Sequence, residues 1–241
     1  GAITHEETAS NDGSVTGSGG TLTVTVCGAA TDGEILLAFC HRDALGGRTG
    51  LTGFPAGFTK LTAISVSTTS ERDRRIDVGN KIASSEGTTY TFTNNEEIAL
   101  DMQCIVMVYS DVNGTQMDVT PTASHYVFAN NTDAPDPPSI TTSTNNAMVV
   151  IFGSTSGTVN TRSCTAPSGY TLRHGSTDPQ DESFVCAAEK LVATAGAENP
   201  AAWAIANGNG CGTTCTDDTY AATVAIAPAA ASTNSVLFYV R

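Results

Sequence analysis

Cysteines carry the most specific chemistry in this chain of 241 residues, which contains seven of them. Because seven is odd, at least one thiol has no partner within the chain. Cys211 and Cys215 flank the short polar loop CGTTC, a spacing that is compatible with a local disulfide. Cys27, Cys40 and Cys104 follow or interrupt apolar runs, where we expect small buried hydrophobes rather than reactive thiols. The sequence offers no second pair of ligands for a zinc site at the CGTTC loop.

Groups that could perform acid–base chemistry are dispersed. The four histidines are not at metal-ligand spacing, and we expect them at the surface or in loops. They are His5, His41, His125 and His174. Asp178, Asp181 and Glu182 could flank a glycosidic bond, but they lie in a polar stretch where acidic residues are common. We therefore predict no catalytic residues and no enzyme activity, with polysaccharide cleavage as the alternative.

Two acidic segments could supply oxygen ligands for calcium. They are DVNGTQMD at 111–118 and NNTDAPD at 130–136. The first begins like an EF-hand loop but lacks its distal Glu and its flanking helices. We expect solvated turns and no cofactor, with a loop-bound calcium ion as the alternative.

The elements that must position these residues have the pattern of β-strands. Short alternating or apolar runs recur with turn residues between them, which is typical of sandwiches and barrels. The runs are at 21–26, 34–40, 58–67, 77–83, 88–93, 101–110, 139–144, 147–153, 170–176, 183–192, 201–206 and 219–227, with a last run, SVLFYVR, at the end of the chain. The sequence therefore predicts an all-β protein with almost no helix.

The order of these runs is repeated. FPAGFTKL at 54–61 and APSGYTLR at 166–173 each follow an apolar run, and the apolar runs align as 35–39 on 148–152. In each copy Pro fixes φ, Gly tolerates a left-handed backbone and an aromatic residue begins the next strand, so we interpret the motif as a structural corner. Its residues are Pro55, Gly57, Phe58, Pro167, Gly169 and Tyr170.

We therefore predict two tandem antiparallel sandwiches related by internal duplication. The first covers 1–129 and the second covers 139–241, with the segment 130–138, rich in Pro, Asp and Asn, as the linker. The residues expected to point inward are Leu36, Phe39, Phe58, Ile82, Phe92, Val106 and Val108 in the first unit, and Val150, Phe152, Tyr170, Val185, Leu191, Trp203 and Val224 in the second.

In each copy the motif P-x-G-(F/Y)-T follows an apolar strand and precedes a K-(I/L)-(A/V) strand, and an EGTTYTFT-like strand comes next in the first copy. This order resembles a jelly-roll-like β-sandwich module of tailed-bacteriophage virion proteins. The resemblance covers nearly the whole chain twice, although AAWAIA replaces the Tyr-Thr-Phe-Thr run in the second copy. It implies a non-enzymatic virion protein, most simply a capsid decoration or a head, tail or fibre subunit. Its implied partners are the major capsid protein or other virion proteins, together with further copies of itself in a dimer or trimer.

Charge and hydropathy limit the classes of partner that the sequence favours. The formal net charge is −13, and only three of the eleven basic residues are lysines, which leaves no basic patch for nucleic acid. No run is long enough to span a membrane, so we expect no membrane partner. The chain starts without the pattern of a signal peptide, and we expect either a removed initiator Met or a removed leader before Gly1. The expected location is the virion, and a secreted or cell-surface adhesin or carbohydrate-binding module is the alternative.

Overall fold

A computed structural model describes residues 2–45, 52–67, 72–95, 100–126, 134–156, 162–175, 183–207 and 219–230. Within these ranges the prediction of an all-β protein is confirmed, because the residues form strands and turns and no helix. None of these residues belongs to a helix that could cross a membrane. The strands are β1 (Thr4–Val15), β2 (Thr21–Thr25), β3 (Ile35–Leu45), β4 (Thr52–Gly53), β5 (Thr59–Ser67), β6 (Arg72–Ile82), β7 (Thr89–Asn94), β8 (Leu100–Ser110), β9 (Val112–Met117), β10 (Thr122–Tyr126), β11 (Ile140–Thr141), β12 (Ala147–Ser156), β13 (Arg162–Thr165), β14 (Thr171–Gly175), β15 (Ser183–Val192), β16 (Ala197–Glu198), β17 (Ala204–Asn207) and β18 (Thr219–Pro228).

Two large antiparallel sheets form the centre of the molecule. The first has the strand order β1-β8-β3-β6-β5, and the second has the order β10-β18-β12-β15-β14, with β9 also paired to β18. One apolar cluster, which we call the shared core, contains inward residues of both sheets, so the sheets pack face to face. Phe39 and Phe152 lie in this cluster.

A smaller layer covers the other face of each large sheet. β2, β7 and β4 form a three-stranded sheet over the first, and the pairs β13-β17 and β11-β16 contribute to the cover over the second. The layers therefore run small, large, large, small. This explains the uninterrupted apolar stretch in β3, where Leu37 and Phe39 enter the shared core while Leu36 and Ala38 pack beneath the small sheet.

The two large sheets have matching registers. Leu36 is opposite Lys81 in the first sheet, and Val149 is opposite Lys190 at the aligned position of the second. The edge strands also match, because the β5–β6 register shifts between Lys60 and Thr62 and the β14–β15 register shifts between Leu172 and His174. In each sheet the extra residue of the bulge is the third residue after the aromatic residue of the corner.

The chain passes from the first large sheet to the second at Asp111, which has a φ of 56°. β9 and β10 precede residue 130, but both pair with β18 of the second sheet. The described part of the predicted linker lies against that sheet: the Pro135 carbonyl accepts a hydrogen bond from the Trp203 N–H at 3.0 Å, and Thr223 Oγ1 donates to the Pro138 carbonyl at 2.7 Å. The Pro-rich segment is thus part of the packing on the second sheet, and the division into domains stays a prediction.

Most residues expected to point inward are buried, including Phe39, Phe152, Val185 and Trp203. The prediction that Leu191 points inward is wrong, because 42% of its surface is exposed. It is opposite Met148 near the ends of β15 and β12, where the facing sheet covers it only in part.

Candidate functional site

The repeated corners are turns with the same geometry. The Phe58 N–H donates to the Pro55 carbonyl at 3.2 Å, and the Tyr170 N–H donates to the Pro167 carbonyl at 3.0 Å. Gly57 and Gly169 both have a φ of 84° at the third position, as a type II turn requires. The glycine is needed here because this backbone conformation is unfavourable for other residues.

A lysine from the neighbouring strand lies against each corner. Lys81 Nζ donates to the Ala56 carbonyl at 3.1 Å and pairs with Glu86 at 2.7 Å. Lys190 pairs with Glu198 at 2.7 Å, and that carboxylate also accepts a hydrogen bond from the Tyr170 hydroxyl. Burial, followed by the charge of Glu198, raises the pKa of Tyr170 above its ordinary value. Each lysine is held in an ion pair, so the corners have a structural role in this arrangement.

Two disulfides lie next to the outer layers. Cys40 and Cys104 are directly opposite each other in β3 and β8 and are bonded. Cys164 is bonded to Cys186 and connects the small β13-β17 sheet to β15. Closing loops of 64 and 22 residues stabilises the folded state by about 4 and about 3 kcal/mol in the chain-entropy account. Cys40 and Cys104 are buried, as expected. Their bond is not predictable from the sequence, because the pairing depends on strand register.

Cys27 is an exposed free thiol, so its interpretation as a buried hydrophobe is wrong. It follows β2, where the chain has left the sheet, and its backbone N–H donates to the Glu7 carboxylate. A side-chain hydrogen bond to Glu7, together with the charge of Glu7, raises the pKa of the Cys27 thiol. Cys211 and Cys215 lie outside the described residues, so a local disulfide there stays a prediction.

A hydrogen bond to the buried Glu189 carboxylate crosses the shared core. The Tyr109 hydroxyl of the first sheet donates to Glu189 Oε2 of the second at 2.8 Å, and Arg173 Nε donates to Glu189 Oε1 at 2.8 Å. Glu189 is buried, and burial followed by the charge of Glu189 raises the pKa of Tyr109 well above its ordinary value. The aligned position in the first sheet is Asn80, which is also buried. The contact therefore distinguishes the two sheets at an otherwise matching position.

A second buried carboxylate, Asp77, lies beneath the small sheet of the first half. Lys60 Nζ is 2.7 Å from Asp77 Oδ1, and Arg75 Nε donates to both of its oxygens at 3.0 and 3.1 Å. Burial raises the pKa of Asp77, but the hydrogen bonds and charges of Lys60 and Arg75 outweigh it, so the pKa is lowered overall. The ionised carboxylate is thus fixed by two cations, which suits a structural role.

The predicted loop location of the histidines is wrong, and the predicted surface location is wrong for His41. All four lie in strands, His41 is fully buried, and the other three are half-buried. Burial lowers the pKa of His174 to about 4. The predicted runs include His174 but not His5 or His125, whose polar neighbours weaken the alternating pattern. The carboxylates Asp178, Asp181 and Glu182 lie outside the described residues.

The first predicted calcium segment is largely a strand, since β9 covers most of 111–118. Asp118 accepts hydrogen bonds from the Ser143 N–H and hydroxyl and from the Thr144 hydroxyl, so this carboxylate fastens a neighbouring turn. In the second segment, 130–133 lies outside the described residues. No group of three or more His, Cys, Asp or Glu side chains suited to a metal ion occurs in the described ranges. The absence of a cofactor stays a prediction, with a loop-bound calcium ion as its alternative.

The outward face of the first small sheet is lined by threonines. Leu22, Val24 and Phe92 point into the core, so the alternate residues face away from it. Three registered pairs result: Thr21 with Thr93, Thr23 with Thr91, and Thr25 with Thr89. The hydroxyls of Thr23 and Thr91 are 3.0 Å apart. We call these six residues the threonine face.

The second small sheet has a comparable outward face. Cys164 is buried, while its neighbours Ser163 and Thr165 are exposed and lie opposite Ala206 and Ala204. Short uncharged side chains therefore occupy both outer faces of a chain whose net charge is −13. Such faces bring backbone close to a partner with little charge to desolvate, and they are the candidate contact surfaces of the molecule.

Comparison of the chain with protein-family models, with curated proteins and with solved structures finds no match in any of the three.

Proposed function

We propose that this chain is a non-enzymatic structural protein of a virion, namely a capsid-decoration subunit or a head or tail appendage subunit of a bacteriophage. In this proposal it consists of two jelly-roll-like sandwich units that arose by internal duplication. The repeated corners, the matching strand orders and the matching bulges support the duplication.

One observation carries the functional proposal: the two large sheets are fused face to face through the shared core. Fusion directs the two small sheets to opposite sides of one body, each with an outward face of short uncharged side chains. A body with two opposed contact faces suits bridging between neighbouring subunits of an assembly. Two linked contacts also raise each other's effective concentration on a repeating surface.

The second candidate is a secreted or cell-surface adhesin or carbohydrate-binding module. The two disulfides favour it, because disulfides persist in oxidising surroundings such as the cell exterior. Virion surfaces share those surroundings, so disulfides alone do not separate the two candidates. Saturable binding of the purified chain to a glycan would support the second candidate.

The partners proposed for the virion protein are the major capsid protein or another virion protein, together with further copies of this chain as a dimer or trimer. Calcium and other cofactors are not required by the proposal.

The test is the location of the protein in its source. We expect it in purified particles at a fixed copy number, with density for a four-layer β-body at a repeated position on the capsid or tail. If the protein is absent from particles and is recovered as a free monomer from the medium, the proposal is contradicted.

A further inference from the structure

All the histidines of the chain face the same layer of the molecule. Directly opposite residues of an antiparallel pair place their side chains on the same side of the sheet. Each histidine is opposite a residue of the shared core, so each faces the layer between the two large sheets. The pairs are His5 with Tyr109, His41 with Ile76, His125 with Tyr220, and His174 with Ala187.

Aromatic contacts place three of the rings directly. The His5 and Tyr109 ring centroids are 5.4 Å apart, and Tyr220 lies between two histidines, 5.8 Å from His41 and 4.7 Å from His125. His41 and Tyr220 come from different sheets, so a histidine and its neighbour bridge the layer. The imidazoles are thus part of the packing between the sheets.

The surroundings of two histidines oppose a positive charge. Burial lowers the pKa of His5, and the positive charge of Arg173 lowers it further. The carboxylates of Glu189 and Glu6 raise the pKa, but the net effect is a lowering. The His5 ring also contacts Tyr109, and its Nε2 lies 2.7 Å from the Thr8 hydroxyl. At His174, burial is the cause of the lowered pKa, and its Nε2 has no hydrogen-bond partner within the described residues.

We propose that the layer between the large sheets is an acid-sensitive contact, in which protonation of His5 and His174 loosens the packing of the two halves on each other. An imidazolium is costly in an apolar layer, whereas an opened layer exposes it to water. The opened state therefore binds the proton more tightly. The proposal goes beyond the structural function proposed above and does not depend on it.

The pH window follows from the direction of the shift. His174 has a folded pKa of about 4, below the ordinary value of 6.5. Its contribution to stability is complete above the ordinary value and is lost as the pH falls toward the folded value. Across that window the closed-to-open ratio falls by up to about tenfold per pH unit for each such histidine.

The experiment is urea unfolding of the full chain at pH 7.5, 6.5 and 5.5. The wild type is compared with the double variant His5→Gln and His174→Gln, and with Asp136→Asn as the control that removes an exposed carboxylate. We expect the urea midpoint of the wild type and of the control to fall together as the pH is lowered, and that of the double variant to fall less. Equal slopes in the wild type and the double variant would overturn the proposal.

A second measurement covers the case in which the double variant does not fold. The imidazole proton resonances of the wild type are followed by NMR between pH 8 and pH 4. We expect one histidine, His174, to titrate well below its ordinary range in the folded protein. If His5 and His174 both titrate at or above 6.5, the layer does not resist their protonation and the proposal is wrong.

Discussion

Phe39 and Phe152 are stacked against each other across the shared core, with ring centroids 4.8 Å apart and ring planes at 4°. The two residues occupy aligned positions of the sequence repeat, and each is opposite a strand residue at the matching register, Ile105 and Ala222. The stack is thus a direct contact between aligned residues of the two large sheets.

Truncation of the stack should therefore be costly. Phe39→Ala or Phe152→Ala should lower the free energy of unfolding by about 3 to 5 kcal/mol, because each ring is fully buried. Since the rings touch, the double variant should cost less than the sum of the two. Urea unfolding measures both values. Leu172→Ala is the control, because Leu172 is 44% exposed, and a loss below about 1 kcal/mol at Phe39 would place that ring outside the core.

Tyr109 and Asn80 should respond in opposite ways to removal of their polar atoms. Tyr109→Phe removes a hydrogen bond to the buried Glu189 carboxylate and should cost about 1.5 to 3 kcal/mol. Asn80 has no hydrogen-bond partner for its side chain among the described residues, so Asn80→Leu should stabilise the protein by about 1 kcal/mol. Thermal and urea unfolding at pH 7 check both. A destabilised Asn80→Leu would show that the amide has a partner in solution.

The two corner glycines offer a matched pair. Both have a φ of 84°, so alanine should cost about 1 to 2 kcal/mol at either position. Gly57→Ala should cost more than Gly169→Ala, because an added Cβ would lie 2.8 Å from Lys81 Cε but 3.9 Å from Lys190 Cε. Gly87→Ala is the control, since it has open space around it and its φ is not in the left-handed region. Equal losses at all three glycines would contradict the turn assignment.

Alkylation of the native protein should distinguish the free thiol of Cys27 from the disulfide-bonded cysteines. Cys27 should react with iodoacetamide, while Cys40, Cys104, Cys164 and Cys186 should not react unless the protein is reduced. Because Glu7 raises the pKa of the Cys27 thiol, Glu7→Gln should increase the thiolate fraction at neutral pH and accelerate the reaction. Peptide mapping by mass spectrometry gives each rate. If Glu7→Gln leaves the Cys27 rate unchanged, the two side chains do not interact.

Much of the fold is predictable from local patterns. The alternation in TLTVT and TYTFT identifies β2 and β7, and Pro-x-Gly identifies the corners, because these signals depend on neighbours in sequence. Local patterns do not predict β1, because its polar residues form a strand only by pairing with β8 over its whole length. The apolar run of β3 shows burial on both faces but does not say what covers each face.

The candidate surfaces are less predictable. The threonine face depends on the β2–β7 register, which aligns residues 64 to 72 positions apart and has no local signal. The face-to-face packing of the shared core is equally hard to predict, because the sequence repeat indicates two similar sheets without indicating that their apolar faces meet. Disulfide pairing and the location of the histidines depend on that same long-range arrangement.

Rebinding of the purified chain to particles that lack it tests the central claim most directly. We predict saturable occupancy and increased heat resistance of the particles. Thr23→Lys with Thr91→Lys, which places two charges on the threonine face, should abolish binding, and Thr171→Lys on the exposed edge strand β14 should not. Failure of the wild-type chain to rebind, together with turnover of a polysaccharide by the same preparation, would contradict the structural account in favour of an enzymatic one.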